Sequence, residues 1–143
     1  MGKAEAALNR YLSFESYSLN EKLRNGTSLS ENENEFVKKL DSALDKMPQY
    51  KGTVYRSISS SNISDIDEFW NVHKKGYFVR YPAYTSTSTD MYDETMDIQY
   101  VITGKTGRDI RIYNENEKEI LFKRNSRFYI RDVINNTIYM EED

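Results

Sequence analysis

The sequence predicts one α+β domain. Apolar residues at three- and four-residue spacing dominate the first third of the chain, and short β-branched or aromatic runs divided by turn residues dominate the remainder. The length of 143 residues is one domain's worth of chain. The expected division is a helical part over about 1–50 and a strand-rich part over about 51–143.

Ala7, Leu8, Tyr11 and Leu12 make the first helical stripe. Ser13 is placed to cap a second helix carrying Tyr17, Leu19, Asn20, Leu23 and Arg24, and Asn25-Gly26 supplies a left-handed stop. Ser30 and Glu33 fit a capping box, in which a hydroxyl and a carboxylate three residues apart satisfy each other's orphan amides. Behind it Phe36, Val37, Leu40, Leu44 and Met47 form a stripe that Pro48 closes. The texture changes at Lys51-Gly52, and Thr53 to Ile58 reads as a strand. One more helix is expected, capped by Ser64, carrying Ile66, Phe69, Trp70 and His73, and stopped by Gly76. The remaining strands are expected at Tyr77–Tyr81, Ala83–Thr87, Ile98–Thr103, Asp109–Tyr113, Glu117–Lys123, Arg127–Val133 and Thr137–Met140. Gly104, Gly107, Asn125 and Asn135-Asn136 read as turns, the last suited to a two-residue hairpin. The loop Thr89–Asp97 is acidic, and Glu141-Glu142-Asp143 reads as a solvated tail.

Composition narrows the chemistry. With no Cys and one His, thiol catalysis, disulfides and Cys/His zinc sites are excluded, and no metal is expected. Twenty Lys+Arg against 23 Asp+Glu leave a net charge of −3, which argues against a partner held mainly through nucleic-acid phosphates. No apolar run reaches the roughly 20 residues that span a membrane, and the N-terminus lacks the apolar stretch of a signal peptide. A soluble protein is expected, without a membrane partner. His73 reads as a surface or helix-end residue. Gly104-Lys105-Thr106 imitates the end of a P-loop, but Gln99 stands where that loop needs a glycine. Asp90, Asp93 and Asp97 lack the spacing and central glycine of a calcium loop. Asn25, Asn62 and Asn135 begin glycosylation sequons of a kind that arises often by chance.

Three features remain. Glu117 and Glu119 stand at i and i+2 of a strand start, on one face and roughly 7 Å apart, close enough to divide acid–base and charge-stabilising work. Tyr84-Thr85-Ser86-Thr87-Ser88 offers hydroxyls that can orient a carboxylate. Arg56, in an otherwise apolar and aromatic strand, offers a planar fork to a phosphate or carboxylate. Taken singly they have plainer explanations: an exposed Glu-rich strand start beside Glu115, an edge strand with a polar face, and a surface salt bridge.

In this order, Arg, then Ser-Thr-Ser, then Glu-x-Glu, they resemble the signature of the Arg-Ser-Glu class of mono-ADP-ribosyltransferases, and within it the bacterial exoenzyme and toxin branch. Tyr17 to Arg24, Tyr50 to Arg56 and Glu117 to Ile130 follow the cadence of that family, so the likeness runs over roughly residues 4–134. The resemblance implies two facing, mainly antiparallel sheets around an NAD cleft, with N-terminal helices, as one catalytic domain over 1–143. It implies NAD+ as co-substrate. Arg56 would hold its phosphates and Ser57 would offer a backbone amide to the nicotinamide carboxamide. Ser86 would orient Glu119, and Glu119 would bind the nicotinamide-side ribose and stabilise the charge formed as nicotinamide leaves. Glu117 would engage an acceptor arginine, since a Glu at that place goes with arginine in this family. Tyr113 and Glu115 would contact the target protein. Asn20 and Arg24 would line the adenosine and phosphate side. The family's loop after Ser88 departs here, being short and acidic and offering no Arg or Lys. The implied biology is a toxin or phage-type effector, either delivered into a target-cell cytoplasm or acting inside the cell that makes it, with an immunity or antitoxin partner. Two other activities fit the same residues: an NAD glycohydrolase with water as acceptor, and a non-catalytic module binding protein or glycan through its Tyr-rich face.

Overall fold

A computed structural model describes residues 3–11, 15–90, 93–113 and 118–143. Three helices come first: α1 (Lys3–Tyr11), α2 (Glu15–Asn25) and α3 (Glu31–Asp45). At the end of α2, Gly26 adopts φ 67°, and the amides of Gly26 and Thr27 return to the carbonyls of Leu23 and Lys22 at 3.4 and 3.0 Å. This is the left-handed stop that Asn25-Gly26 predicts. The capping box forms at α3: the Glu33 amide donates to Ser30 Oγ at 3.1 Å, and the Ser30 amide to Glu33 Oε1 at 2.9 Å. The helical stripes converge on one core of Ala7, Leu8, Tyr11, Leu19, Phe36, Val37, Leu40, Ala43 and Leu44, joined by Tyr84, Ile110 and Leu121 from the strand half. Each fully buried leucine there is worth about 1.5–3 kcal/mol.

The strand half contains β1 (Gln49–Ile58), a 3₁₀ turn at Ser60–Asn62, α4 (Ile66–Val72), β2 (Phe78–Tyr81), β3 (Thr85–Ser88), β4 (Ile98–Asp109), β5 (Glu119–Phe122), β6 (Ser126–Ile134) and β7 (Thr137–Glu142). The mixed α+β architecture with N-terminal helices is the expected one. The seven strands share one hydrogen-bonded network in the order β1-β3-β5-β4-β7-β6-β2. β4 also pairs with β1, so β1, β3, β5 and β4 close into a ring. A second core gathers Val54, Ile98, Ile102, Ile120, Phe122, Phe128, Ile130 and Ile138, and Phe69 and Trp70 of α4 pack against it. β5 is buried throughout and serves both cores, because side chains alternate across a strand: Leu121 faces the helices, while Ile120 and Phe122 face the second core. Among the described residues no helix is long and apolar enough to cross a membrane.

Four expectations change. Gly104 and Gly107 are not turns but lie inside the twelve-residue β4. A Cβ on Gly104 would stand 2.8 Å from Phe122 Cζ, and one on Gly107 2.7 Å from Ile120 Cγ2, so close packing rather than reversal demands these glycines. Asp109–Tyr113 is not a strand. Asp109 ends β4, and its carboxylate takes hydrogen bonds from the Arg111 amide and guanidinium at 2.7–3.1 Å, curling the chain into a turn. The C-terminus is not a solvated tail: Glu142 is buried at the end of β7 and accepts from the amides of Lys105 and Thr106 at 2.7 and 2.8 Å and from the Thr106 hydroxyl. Asp65 rather than Ser64 caps α4, accepting from the Glu68 amide at 3.0 Å. His73 does end that helix, but it is buried, 5% exposed. The Asn135-Asn136 hairpin forms as its sequence predicts, with φ of 48° and 64° between β6 and β7.

Candidate active site

Strand register gathers the principal residues. β1 meets β3 at Tyr55 and Ser88, and β3 meets β5 at Ser88 with Glu119 and at Ser86 with Leu121. Ser86 and Ser88 therefore share a face with Glu119, and Ser86 Oγ donates to Glu119 Oε2 at 2.6 Å. Arg56 reaches across from β1, its Nη1 donating to the Ser86 carbonyl at 3.0 Å. The other face of β3 is structural: Thr85 and Thr87 are buried, and the Thr87 hydroxyl donates to the Ile120 carbonyl at 2.6 Å. Glu119 is only 3% exposed. It follows Lys118, whose φ of 47° turns the chain into β5.

The helices close one side. Asn20 Nδ2 donates to the Tyr11 hydroxyl at 2.8 Å, while Asn20 Oδ1 accepts from the Tyr84 amide at 3.1 Å. One amide thus ties α1 and α2 to the entrance of β3. Burial pushes the Tyr11 hydroxyl up to about 12, against the opposing hydrogen bond from Asn20. The charge of Glu119 raises that hydroxyl further, and those of Arg56 and Arg24 lower it, so all three charges bear on this side chain. Arg24 itself is exposed at the end of α2. Tyr11 is a wall of the site that sequence reasoning missed. Its helical spacing marked it only as core, and no motif distinguishes it.

On the opposite side the Ser57 hydroxyl donates to Gln99 Oε1 at 2.5 Å and accepts from the Asp93 amide at 3.0 Å. Gln99 Nε2 donates to the carbonyls of Asp93 and Met96, both at 2.8 Å. Asp97 takes hydrogen bonds from the Ser60 amide and hydroxyl. The described end of the acidic loop is thereby sewn to the end of β1. Thr89, Asp90, Arg111, Ile112 and Lys118 line an open groove of about 550 Å³. Ile112 stands 75% exposed there, while Tyr113 is half-buried against the helical core. Glu115 and Glu117 lie outside the described residues.

Arg56, Ser86 and Glu119 are thus joined by hydrogen bonds, Asn20 ties the helices to the entrance of β3, Ser57 follows Arg56 on β1, and Arg24 lies in the last turn of α2. A fixed, dehydrated carboxylate and a guanidinium are both held by Ser86, through its hydroxyl and its carbonyl. That pair can hold an anionic ligand and favour positive charge developing beside the carboxylate.

The profile of the ADP-ribosyltransferase exoenzyme family matches residues 3–142. A protein of Mycobacterium avium (strain 104), provisionally named the NAD(+)–arginine ADP-ribosyltransferase Mav, is 33% identical over 132 residues. That match covers 87% of this chain but 15% of the mycobacterial protein, so the chain spans a small part of that relative. Exoenzyme S of Pseudomonas aeruginosa, solved with human 14-3-3 protein beta and bound to carba-NAD, superposes with a TM-score of 0.79 at 19% identity, covering 98% of this chain and 73% of that one. The catalytic domain of VsdC from Aeromonas hydrophila gives a TM-score of 0.79 at 20% identity, over 99% of this chain and 100% of the other. The structural likenesses establish the fold and the family profile spans nearly the whole sequence: the chain belongs to the ADP-ribosyltransferase exoenzyme family.

Proposed function

We propose that the chain is an NAD+-dependent mono-ADP-ribosyltransferase that releases nicotinamide and transfers ADP-ribose to an arginine of a target protein. The observation that carries this reading is the buried Glu119 carboxylate, held by Ser86 Oγ at 2.6 Å beside Arg56. The donor set suits the dinucleotide. Arg56 binds phosphate through its fork, and Glu119 accepts a hydrogen bond from a ribose hydroxyl. As the bond between ribose C1′ and nicotinamide breaks, its electron pair leaves with nicotinamide and positive charge gathers on the ribose. Glu119, poorly hydrated and already oriented, stabilises that charge without reorganising. A guanidine nitrogen of the acceptor then bonds to C1′, and Glu117 takes the proton it loses. Asn20 and Arg24 serve the adenosine and phosphate side, the Ser57 amide the carboxamide, and Tyr113 and Glu115 the target. The arginine acceptor is supported by the Glu at position 117 and by the name of the mycobacterial relative. An effector or toxin role with an immunity partner follows from the same reading.

Incubation with NAD+ and agmatine, a soluble arginine mimic, tests this. Nicotinamide release with ADP-ribosyl-agmatine formation is expected. Release of free ADP-ribose alone would indicate an NAD glycohydrolase. Neither NAD+ binding nor nicotinamide release would refute the enzymatic reading and leave a binding module.

A further inference from the structure

We infer that Asp41 is a positioning residue for the reaction, because its carboxylate clasps together the two strands that carry Ser86 and Glu119. This rests on the roles given to those two residues above. Asp41 lies on α3, and nothing assigned so far uses it. Its Oδ1 accepts from the Tyr84 hydroxyl at 2.6 Å. Its Oδ2 accepts from Arg124 through Nε and Nη2, both at 2.8 Å. Tyr84 immediately precedes β3, and Arg124 stands two residues after β5. The two strands run antiparallel, from Thr85 opposite Phe122 to Ser88 opposite Glu119. One carboxylate therefore joins both strands at the end of their ladder away from Glu119.

The ladder is four residues long, so what holds either end bears directly on where Ser86 and Glu119 meet. At the site end the Thr89 amide donates to the Lys118 carbonyl at 3.1 Å. At the far end Tyr84 is fixed twice: Asn20 Oδ1 accepts from its amide at 3.1 Å, and Asp41 accepts from its hydroxyl. Tyr84 is 4% exposed, and its ring meets that of Tyr11 edge-on at 5.4 Å. Burial, and then the bond to Asp41, push the Tyr84 hydroxyl well up, so it keeps the proton it donates. A Phe would fill the same volume and keep the ring contact without burying a hydroxyl. Packing alone therefore does not account for Tyr84, nor for the carboxylate set against it. Asp45, one turn further along α3, gives the contrast. It is 55% exposed and pairs with Lys123 at 2.5 Å and Arg108 at 4.0 Å, and neither partner belongs to β3.

The test is a double-mutant cycle on nicotinamide release, with a thermal melt to confirm folding. Asp41→Ala is expected to lower kcat about tenfold, the worth of one well-placed hydrogen bond, with KM for NAD+ held within about threefold. Tyr84→Phe should move kcat in the same direction by less, and Asp45→Ala should stay near wild type. Asp41 and Ser86 share no partner, so independent effects would multiply. If Asp41 acts through the Ser86–Glu119 bond, Asp41→Ala should cost less than about twofold once Ser86→Ala has removed that bond. Multiplying losses overturn the inference, as does unchanged kcat in a folded Asp41→Ala variant or an equal loss from Asp45→Ala. If Asp41→Ala does not fold, Tyr84→Phe carries the same comparisons. A wild-type protein that releases no nicotinamide refutes the proposed function instead, and amide hydrogen exchange then judges the clasp by itself. Asp41→Ala should speed exchange of the Thr89 amide about tenfold more than that of the Ile130 amide, which donates to the Tyr77 carbonyl elsewhere in the sheet. Equal acceleration of the two would mark a general loss of stability and overturn the clasp.

Discussion

Replacing Ser86 by Ala isolates the orientation of the carboxylate from its charge. The Ser86 hydroxyl gives Glu119 a hydrogen bond of 2.6 Å in a place where the carboxylate is 3% exposed, so bulk water is poorly placed to substitute. A hydrogen bond to a charged group is worth about 1.5–3 kcal/mol. Each 1.36 kcal/mol of lost transition-state stabilisation is tenfold in rate, so kcat/KM for nicotinamide release is expected to fall by about ten- to 150-fold. The loss precedes acceptor attack, so transfer to agmatine and hydrolysis should fall by the same factor. The backbone carbonyl that accepts from Arg56 remains, and KM for NAD+ is therefore expected to change less than kcat. Continuous assay of nicotinamide release, with and without agmatine, reads all of this, and a thermal melt confirms folding. A folded Ser86→Ala variant with wild-type kcat/KM refutes the argument that this hydroxyl organises the site.

Glu119→Ala is expected to abolish nicotinamide release and transfer together, whereas Glu117→Ala should lose transfer to agmatine and keep hydrolysis, as separate product assays will read. Gly104→Ala drives a methyl to 2.8 Å from the ring of the buried Phe122. Overpacking of that kind costs about 1–3 kcal/mol, and denaturant unfolding should show it. Glu142→Ala strips two β4 amides and a hydroxyl of a shared acceptor, and the expected loss of roughly 2–3 kcal/mol is read by the same titration. His73 titrates lower when folded than the ordinary value of 6.5 because it is buried. The unfolded chain therefore binds its proton first, and this contribution to stability is full above pH 6.5 and declines as pH falls through 6.5 towards the folded value. Urea midpoints between pH 5 and 7.5 should slope accordingly in the wild type and less in His73→Gln.

Much of this architecture is local and therefore legible in one dimension. The capping box at Ser30 and Glu33, the stop at Gly26 and the hairpin at Asn135-Asn136 are decided within a few residues, by orphan amides and by the φ values that Gly and Asn tolerate. Gly104 and Gly107 could not be read that way. A turn and a close approach demand the same residue, and only the arrival of Phe122 and Ile120 from β5 tells them apart. The charged C-terminus was equally ambiguous, because the partners of Glu142 are backbone amides 36 and 37 residues away.

The site divides along the same line. From the sequence alone came the residue types: an Arg in a strand, a run of hydroxyls, a carboxylate opening the next strand, and enough ordered spacing to suggest the family. Their distances came only from register, since Ser86 and Glu119 are 33 positions apart and meet because β3 and β5 pair at Ser88 and Glu119. Tyr11, Asn20 and His73 carry polar groups whose value depends wholly on what is buried beside them, and burial is a property of the folded chain. Residue chemistry and short-range backbone preference were therefore set by the sequence itself. Which polar groups lost their water, and which partners they gained in exchange, was decided by the tertiary structure, because desolvation and hydrogen-bond pairing exist only once distant strands and helices have met.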